Sequence, residues 1–167
     1  MIKIYKNFLE DFDKKMIDNS IKSPNWKHGS CSSPNSDLLF WNQDLTKNLF
    51  YTDYLYNKII KLIGQDFLLQ NVYFNGHCSS THGSLHQDSF KESDMTFLIY
   101  CNHFWNVEWG GSTIFALDEK IEYVDPQPFS GVYFNGNIFH CAQPVSKLFI
   151  GLRVTLAYKL SKSSKIK

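Results

Sequence analysis

Residues 67–74 read FLLQNVYF, and from there to residue 160 one short apolar and aromatic run follows another. MTFLIYCN (95–102), STIFAL (112–117), GVYFN (131–135) and FIGLRVTLAYKL (149–160) complete the series, with turn-rich pieces between them. None of these runs holds a long helical period. Strands of this length and spacing point to a sandwich or barrel rather than to alternating strand–helix units.

Upstream of residue 66 the texture is different. Phe8, Leu9, Phe12, Met16 and Ile17 recur at three- and four-residue spacing and predict an amphipathic helix over 8–21. Leu45, Leu49, Leu55, Ile59 and Ile63 repeat the pattern over 44–63, with Asp44 as the expected N-cap and Gly64 as the stop. The stretch between them, SPNWKHGSCSSPNSD (23–37), is rich in Ser, Pro and Asn and is expected to be a long loop. The expectation is a single domain over 1–167: helices and loop over 1–65, an all-β core over 66–160, and a frayed tail, SKSSKIK, over 161–167.

Composition removes several classes. The 17 basic and 16 acidic residues leave a net charge of +1, no field for gripping nucleic acid or anionic lipid. Hydrophobic residues make up 43% and aromatics 16%, which argues against disorder. No apolar run approaches the roughly 18–20 residues that cross a bilayer, and MIKIYKNFLEDFDKK is too charged for a signal peptide. Cys31, Cys78, Cys101 and Cys141 are dispersed, so reduced thiols in a cytoplasm are expected. All the basic residues but one are lysine; the exception is Arg153.

GSLHQDSF (83–90) places His86 and Asp88 one residue apart, which on a strand would set imidazole and carboxylate side by side. Alone this is weak, because 6 His and 16 acids give about half such a pair by chance. His140, in GNIFHCAQPV, could add the third ligand of a two-histidine, one-carboxylate face around iron, which leaves coordination sites open. Arg153 follows in LRVTLAY, and a buried guanidinium is the fitting group for a carboxylate because it is planar, bidentate and always charged. The bland alternative for Arg153 is a structural salt bridge. HFWNVEWGGSTIF (103–115) sets a tryptophan and paired glycines between the two halves of this set.

The ordered set of HxD, LIYCN, W-x-x-x-WGGSTIF, FHCAQPV and RVTLAY resembles the iron(II)- and 2-oxoglutarate-dependent oxygenases, most closely the prolyl-4-hydroxylase-like branch. The resemblance covers roughly residues 71–160 and implies a mainly β fold with N-terminal helices and a double-stranded β-helix (jelly-roll) core. It implies iron(II) held by His86, Asp88 and His140, and Arg153 paired with the distal carboxylate of 2-oxoglutarate. Thr155 and Tyr100 would add hydroxyls to that carboxylate. Tyr73 and Asn75 would contact the metal-bound end of the co-substrate. O2 would be the oxidant, with ascorbate as an accessory reductant, and the products succinate, CO2 and a hydroxylated C–H.

The expected substrate is a peptidyl proline, with a free amino acid or small metabolite as the same-chemistry alternative and a non-catalytic cupin-like binding protein as the rival of another class. A monomer or weak homodimer is expected, without nucleic acid or membrane. Two departures narrow the reading. The acid of the family's GGET is replaced by Ser112, and Asp88 is retained, against a halogenase. A second arginine is missing, against a nucleic-acid demethylase.

Overall fold

A computed structural model describes residues 1–33 and 36–162. Its elements run β1 (Ile2–Tyr5), α1 (Asp11–Ile21), β2 (Lys27–Ser30), β3 (Phe40–Asp44), a π-helical turn (Phe50–Leu55), α2 (Tyr56–Ile63) and β4 (Phe67–His77). β5 (Met95–Tyr100), β6 (Thr113–Ala116), β7 (Ile121–Val124), β8 (Gly131–Asn135), β9 (Phe139–Ala142) and β10 (Arg153–Lys162) follow. Seven strands pair in the order β1-β8-β5-β10-β4-β3-β2 and three in the order β7-β6-β9. Every strand pair in both sheets is antiparallel, the pattern of a jelly-roll core. No helix among the described residues is long and apolar enough to cross a membrane.

The alternation of β10 explains its central place. Val154, Leu156, Tyr158 and Leu160 face a core shared with Ile17 of α1 and Leu55 and Ile59 beside it. Arg153, Thr155, Ala157 and Lys159 face the opposite way, into a cavity. β4 does the same, with Val72 and Phe74 in the core and Asn71, Tyr73, Asn75 and His77 in the cavity. Each fully buried Leu or Val on the helix side stabilises by about 1.5–3 kcal/mol, so truncating Leu156 to Ala is expected to cost about 2–5 kcal/mol. A second core of Tyr100, Phe115, Val124, Val132 and Phe134 joins the small sheet to the large one.

The helices are tied down polarly as well. Asp13 is fully buried; its Oδ2 accepts from the backbone N of Glu10 at 2.8 Å and from Lys58 Nζ at 2.6 Å, which locks α1 to α2. Gly64 ends α2 with φ of +73°, a left-handed stop.

Several expectations shift. The second helix begins at the π-turn rather than at residue 44, because Asp44 ends β3 and caps a turn there, accepting from Thr46 N at 2.8 Å. The 23–37 loop contains β2, although Pro34 and Asn35 of its second Ser-Pro-Asn unit lie outside the described residues. The tail does not fray at 161: Ser161 and Lys162 continue β10 opposite Leu68 and Phe67, while 163–167 lie outside the described residues. Strands β1, β7 and β9 lie outside the expected runs; each is only four residues long, too short for its pattern to stand out from a loop.

Candidate active site

A cavity of about 430 Å³ lies between the polar faces of β4 and β10 and the small sheet. At one end His86, Asp88 and His140 come together, their ligand atoms all within 4.8 Å of one another. His140 lies on β9, but His86 and Asp88 are not on a regular strand as expected. His86 forms an isolated antiparallel bridge with His140, and the Asp88 backbone N donates to the Gly136 carbonyl at 2.8 Å.

The tautomers follow from what each ring touches. His86 Nδ1 lies 2.9 Å from the Ser84 carbonyl, and His140 Nδ1 lies 2.8 Å from the Ile138 carbonyl. A carbonyl only accepts, so both Nδ1 atoms carry the proton and both Nε2 lone pairs are free. Those Nε2 atoms lie 3.4 Å from Asp88 Oδ1 and Oδ2 respectively. Two imidazole lone pairs and a carboxylate are a donor set that fits a divalent transition metal, each histidine oriented by its other nitrogen.

Asp88 is held from behind. Thr96 Oγ1 donates to its Oδ2 at 2.5 Å, and Lys159 Nζ pairs with the same oxygen. Oδ1 therefore remains the freer of the two for a cation. Burial alone would push the Asp88 carboxyl up, but the Lys159 ammonium beside it holds it well below the usual carboxylate range. Burial pulls His140 down to about 4, so it stays neutral at physiological pH, as a metal ligand must.

Arg153 marks the other end. It is 2% exposed and, among the described residues, forms no ion pair. Its Nε donates to the Gly111 carbonyl at 2.6 Å and its Nη2 to Thr113 Oγ1 at 3.3 Å. The paired glycines of WGGST make this possible. Gly111 has φ of +72°, and a Cβ there would lie 3.0 Å from Arg153 Cδ. Thr113 and Phe115 are two residues apart on β6, and Phe115 is the register partner of His140. The guanidinium thus ends about 7 Å along the strand from the histidine level, the span of a five-carbon diacid.

Thr155, Tyr73 and Asn75 all line the cavity as their strand positions require. Asn75 Oδ1 accepts from Asn42 Nδ2 at 3.1 Å, and Lys159 lies over the Tyr73 ring. Tyr100 is outside the cavity lining, and its hydroxyl is hydrogen-bonded to Thr113 Oγ1 at 2.8 Å and to the Val124 carbonyl at 3.0 Å. It packs 5.5 Å from the guanidinium and holds Thr113, the residue Arg153 leans on.

Sequence reasoning missed Thr96, Thr113 and Lys159. Lys159 had a signal: it lies four and six residues along β10 from Thr155 and Arg153, both already assigned to the cavity face. Ser112 Oγ donates to Asp125 Oδ1, just beyond β7, at 2.6 Å. His77 is in the cavity wall, whereas His28 packs on Trp41 and His103 bonds Asp18. Trp26 stacks on Phe74, and Trp105 and Trp109 pack on Phe149. Cys141 is half-buried and does not line the cavity.

No protein-family model matches the chain, and no curated protein sequence matches it. Solved structures do. A 2OG-Fe(II) oxygenase family oxidoreductase from Burkholderia pseudomallei superposes with a TM-score of 0.76 at 10% identity, over 97% of this chain and 85% of that one. A Trichoplax adhaerens prolyl hydroxylase, in complex with a hypoxia inducible factor peptide fragment, gives 0.76 at 16% identity over 96% and 83%. A Pseudomonas putida prolyl-4-hydroxylase gives 0.68 at 17% identity over 97% and 92%.

Proposed function

We propose that this chain, which has the fold of the 2-oxoglutarate–iron(II) oxygenases, is itself such an oxygenase and hydroxylates an unactivated C–H bond, with a peptidyl proline as the leading substrate. The observation that carries the reading is the pairing of an unneutralised buried Arg153 with a His-Asp-His cluster about one five-carbon diacid away. A binding protein of the cupin kind has no use for a carboxylate clamp at that distance.

Iron(II) bound by His86, Asp88 and His140 would supply oxygen activation coupled to decarboxylation of 2-oxoglutarate. The rest is placement by this chain. Arg153 and Thr155 hold the distal carboxylate, and Tyr73 and Asn75 face the end near the metal ligands. Thr96 and Lys159 fix the Asp88 carboxylate, and the apolar second core behind His140 keeps water from that side.

Charge argues for a peptidyl substrate. The formally charged groups of the cavity wall are Asp88, Lys159 and Arg153, all at the metal and co-substrate ends. The other polar lining residues that are at least partly exposed, Ser30, Cys31, Ser32, Asn42 and Gln87 among them, are uncharged. A free amino acid would bring an ammonium and a carboxylate needing partners there, whereas the amides of an extended peptide need only hydrogen bonds. Incubation with iron(II), 2-oxoglutarate and O2 against proline-containing peptides and free amino acids, read as a 16 Da mass gain, tests the proposal. A gain on peptidyl proline supports it, and a gain on free amino acids alone overturns the peptidyl reading.

A further inference from the structure

Next to Arg153 lies a side chain to which no role has yet been given. His77 ends β4 and is the direct register partner of Arg153 on β10. Directly opposed residues of an antiparallel pair carry their Cβ atoms about 4.5–5.5 Å apart on one face of the sheet. That face is the cavity wall, which both residues line. His77 is 4% exposed, and among the described residues neither ring nitrogen has a hydrogen-bond partner. The ring packs on Phe40, with centroids 4.9 Å apart, which fixes its position but satisfies neither nitrogen.

An imidazole buried with both nitrogens unbonded is costly, and native interiors seldom tolerate it without a reason. Apolar packing alone would be served better by Phe or Leu. Arg153 does not satisfy either nitrogen: its hydrogen bonds go to the Gly111 carbonyl and Thr113 Oγ1. Both groups lack the same thing, an acceptor with negative charge. Resting on the co-substrate reading above, we infer that His77 is a second recognition group for the distal carboxylate, donating one N–H to the carboxylate that Arg153 neutralises. Selectivity for a diacid over a mono-acid of equal chain length then depends on two side chains from adjacent strands. Burial, with Arg153 next in effect, pulls His77 down to about 3, so it enters the complex as a neutral donor.

The test compares 2-oxoglutarate with 2-oxopentanoate, which has the same chain length and keto acid but lacks the distal carboxylate. Binding of each to the manganese(II)-loaded protein without oxygen is measured by calorimetry, which needs no turnover. Replacing His77 by Phe is expected to weaken 2-oxoglutarate about tenfold, the loss of one hydrogen bond to a charged group. The affinity for 2-oxopentanoate should be unchanged. His77→Gln, which keeps an N–H, should recover most of the difference and guards against a variant that fails to fold. Equal weakening of both acids, or no weakening of either, would overturn the inference while the co-substrate reading stands. If the wild-type protein and Arg153→Met bind the two acids with the same ratio, the co-substrate reading falls and this inference with it.

Discussion

His86 and His140, 54 positions apart in the chain, exchange both backbone hydrogen bonds, at 3.0 Å and 2.9 Å. Such a pair projects its side chains to the same side, and here the ring centroids lie 4.4 Å apart. The two Nε2 atoms are brought together by main-chain pairing, and each Nδ1 is then fixed by the carbonyl two residues earlier. The relative placement of the two imidazoles is therefore set by main-chain pairing.

Asp88→Asn separates the metal role from the structural one. The variant loses the charged ligand and leaves the Lys159 ammonium, 20% exposed in its side chain, without its partner. Manganese(II) binding, followed by calorimetry, should vanish. The metal-free fold should lose about 3 kcal/mol in urea denaturation, because a mostly buried charge is stranded. Unchanged metal affinity would remove Asp88 from the ligand set.

Arg153→Met should behave in the opposite way. A structural ion pair would cost about 3–5 kcal/mol to break, but Arg153 forms none among the described residues. Removing the charge is expected to leave the metal-free protein as stable or more stable while abolishing selectivity for 2-oxoglutarate over mono-acids. A large stability loss, measured by urea denaturation, would assign Arg153 to the fold instead.

Gly111→Ala tests the clamp from the other side. Its φ of +72° disfavours any side chain, and the new Cβ would press on Arg153 Cδ and on Trp105. The strain should cost about 1–2 kcal/mol in urea denaturation and, in calorimetric titrations, weaken 2-oxoglutarate more than metal.

Acid should destabilise the metal-free protein early. Burial holds His77 at about 3 and His140 at about 4, below the ordinary value of 6.5 that each regains on unfolding. Below 6.5 the unfolded chain binds the extra protons, so this stability is complete above 6.5 and is lost as pH falls toward the folded values. The slope is at most about 1.4 kcal/mol per pH unit per histidine. Asp88, held low, adds to the loss in the same direction at more acid pH. Urea midpoints at pH 8, 6 and 5 measure this; His77→Phe should flatten the curve, and a midpoint constant to pH 5 would contradict it.

Strands with strong apolar runs were readable because period-two alternation between a core and a cavity writes itself into residues such as Val154, Leu156 and Tyr158 against Arg153 and Thr155. The residues of the His86–Asp88–His140 cluster were readable from residue type and order. The contacts that close over the Tyr100 hydroxyl, Thr113 Oγ1 and the Val124 carbonyl, come from other strands and are not encoded in LIYCN. Lys159 was hidden among sixteen lysines, most of them solvated, and nothing local marks it as the partner of Asp88, 71 positions away. Asp125 meets Ser112 through a contact between strand ends, which a linear motif does not encode.

The central claim is that the space between Arg153 and the His86–Asp88–His140 cluster takes 2-oxoglutarate for oxidation. The most direct measurement is succinate formed from 2-oxoglutarate by the purified protein with iron(II) and O2. The account predicts succinate that disappears when iron is chelated and falls by at least about a hundredfold in Arg153→Met, the loss of a charged, bidentate contact. No succinate from the wild-type protein over the iron-only background, or equal amounts from Arg153→Met, would contradict it.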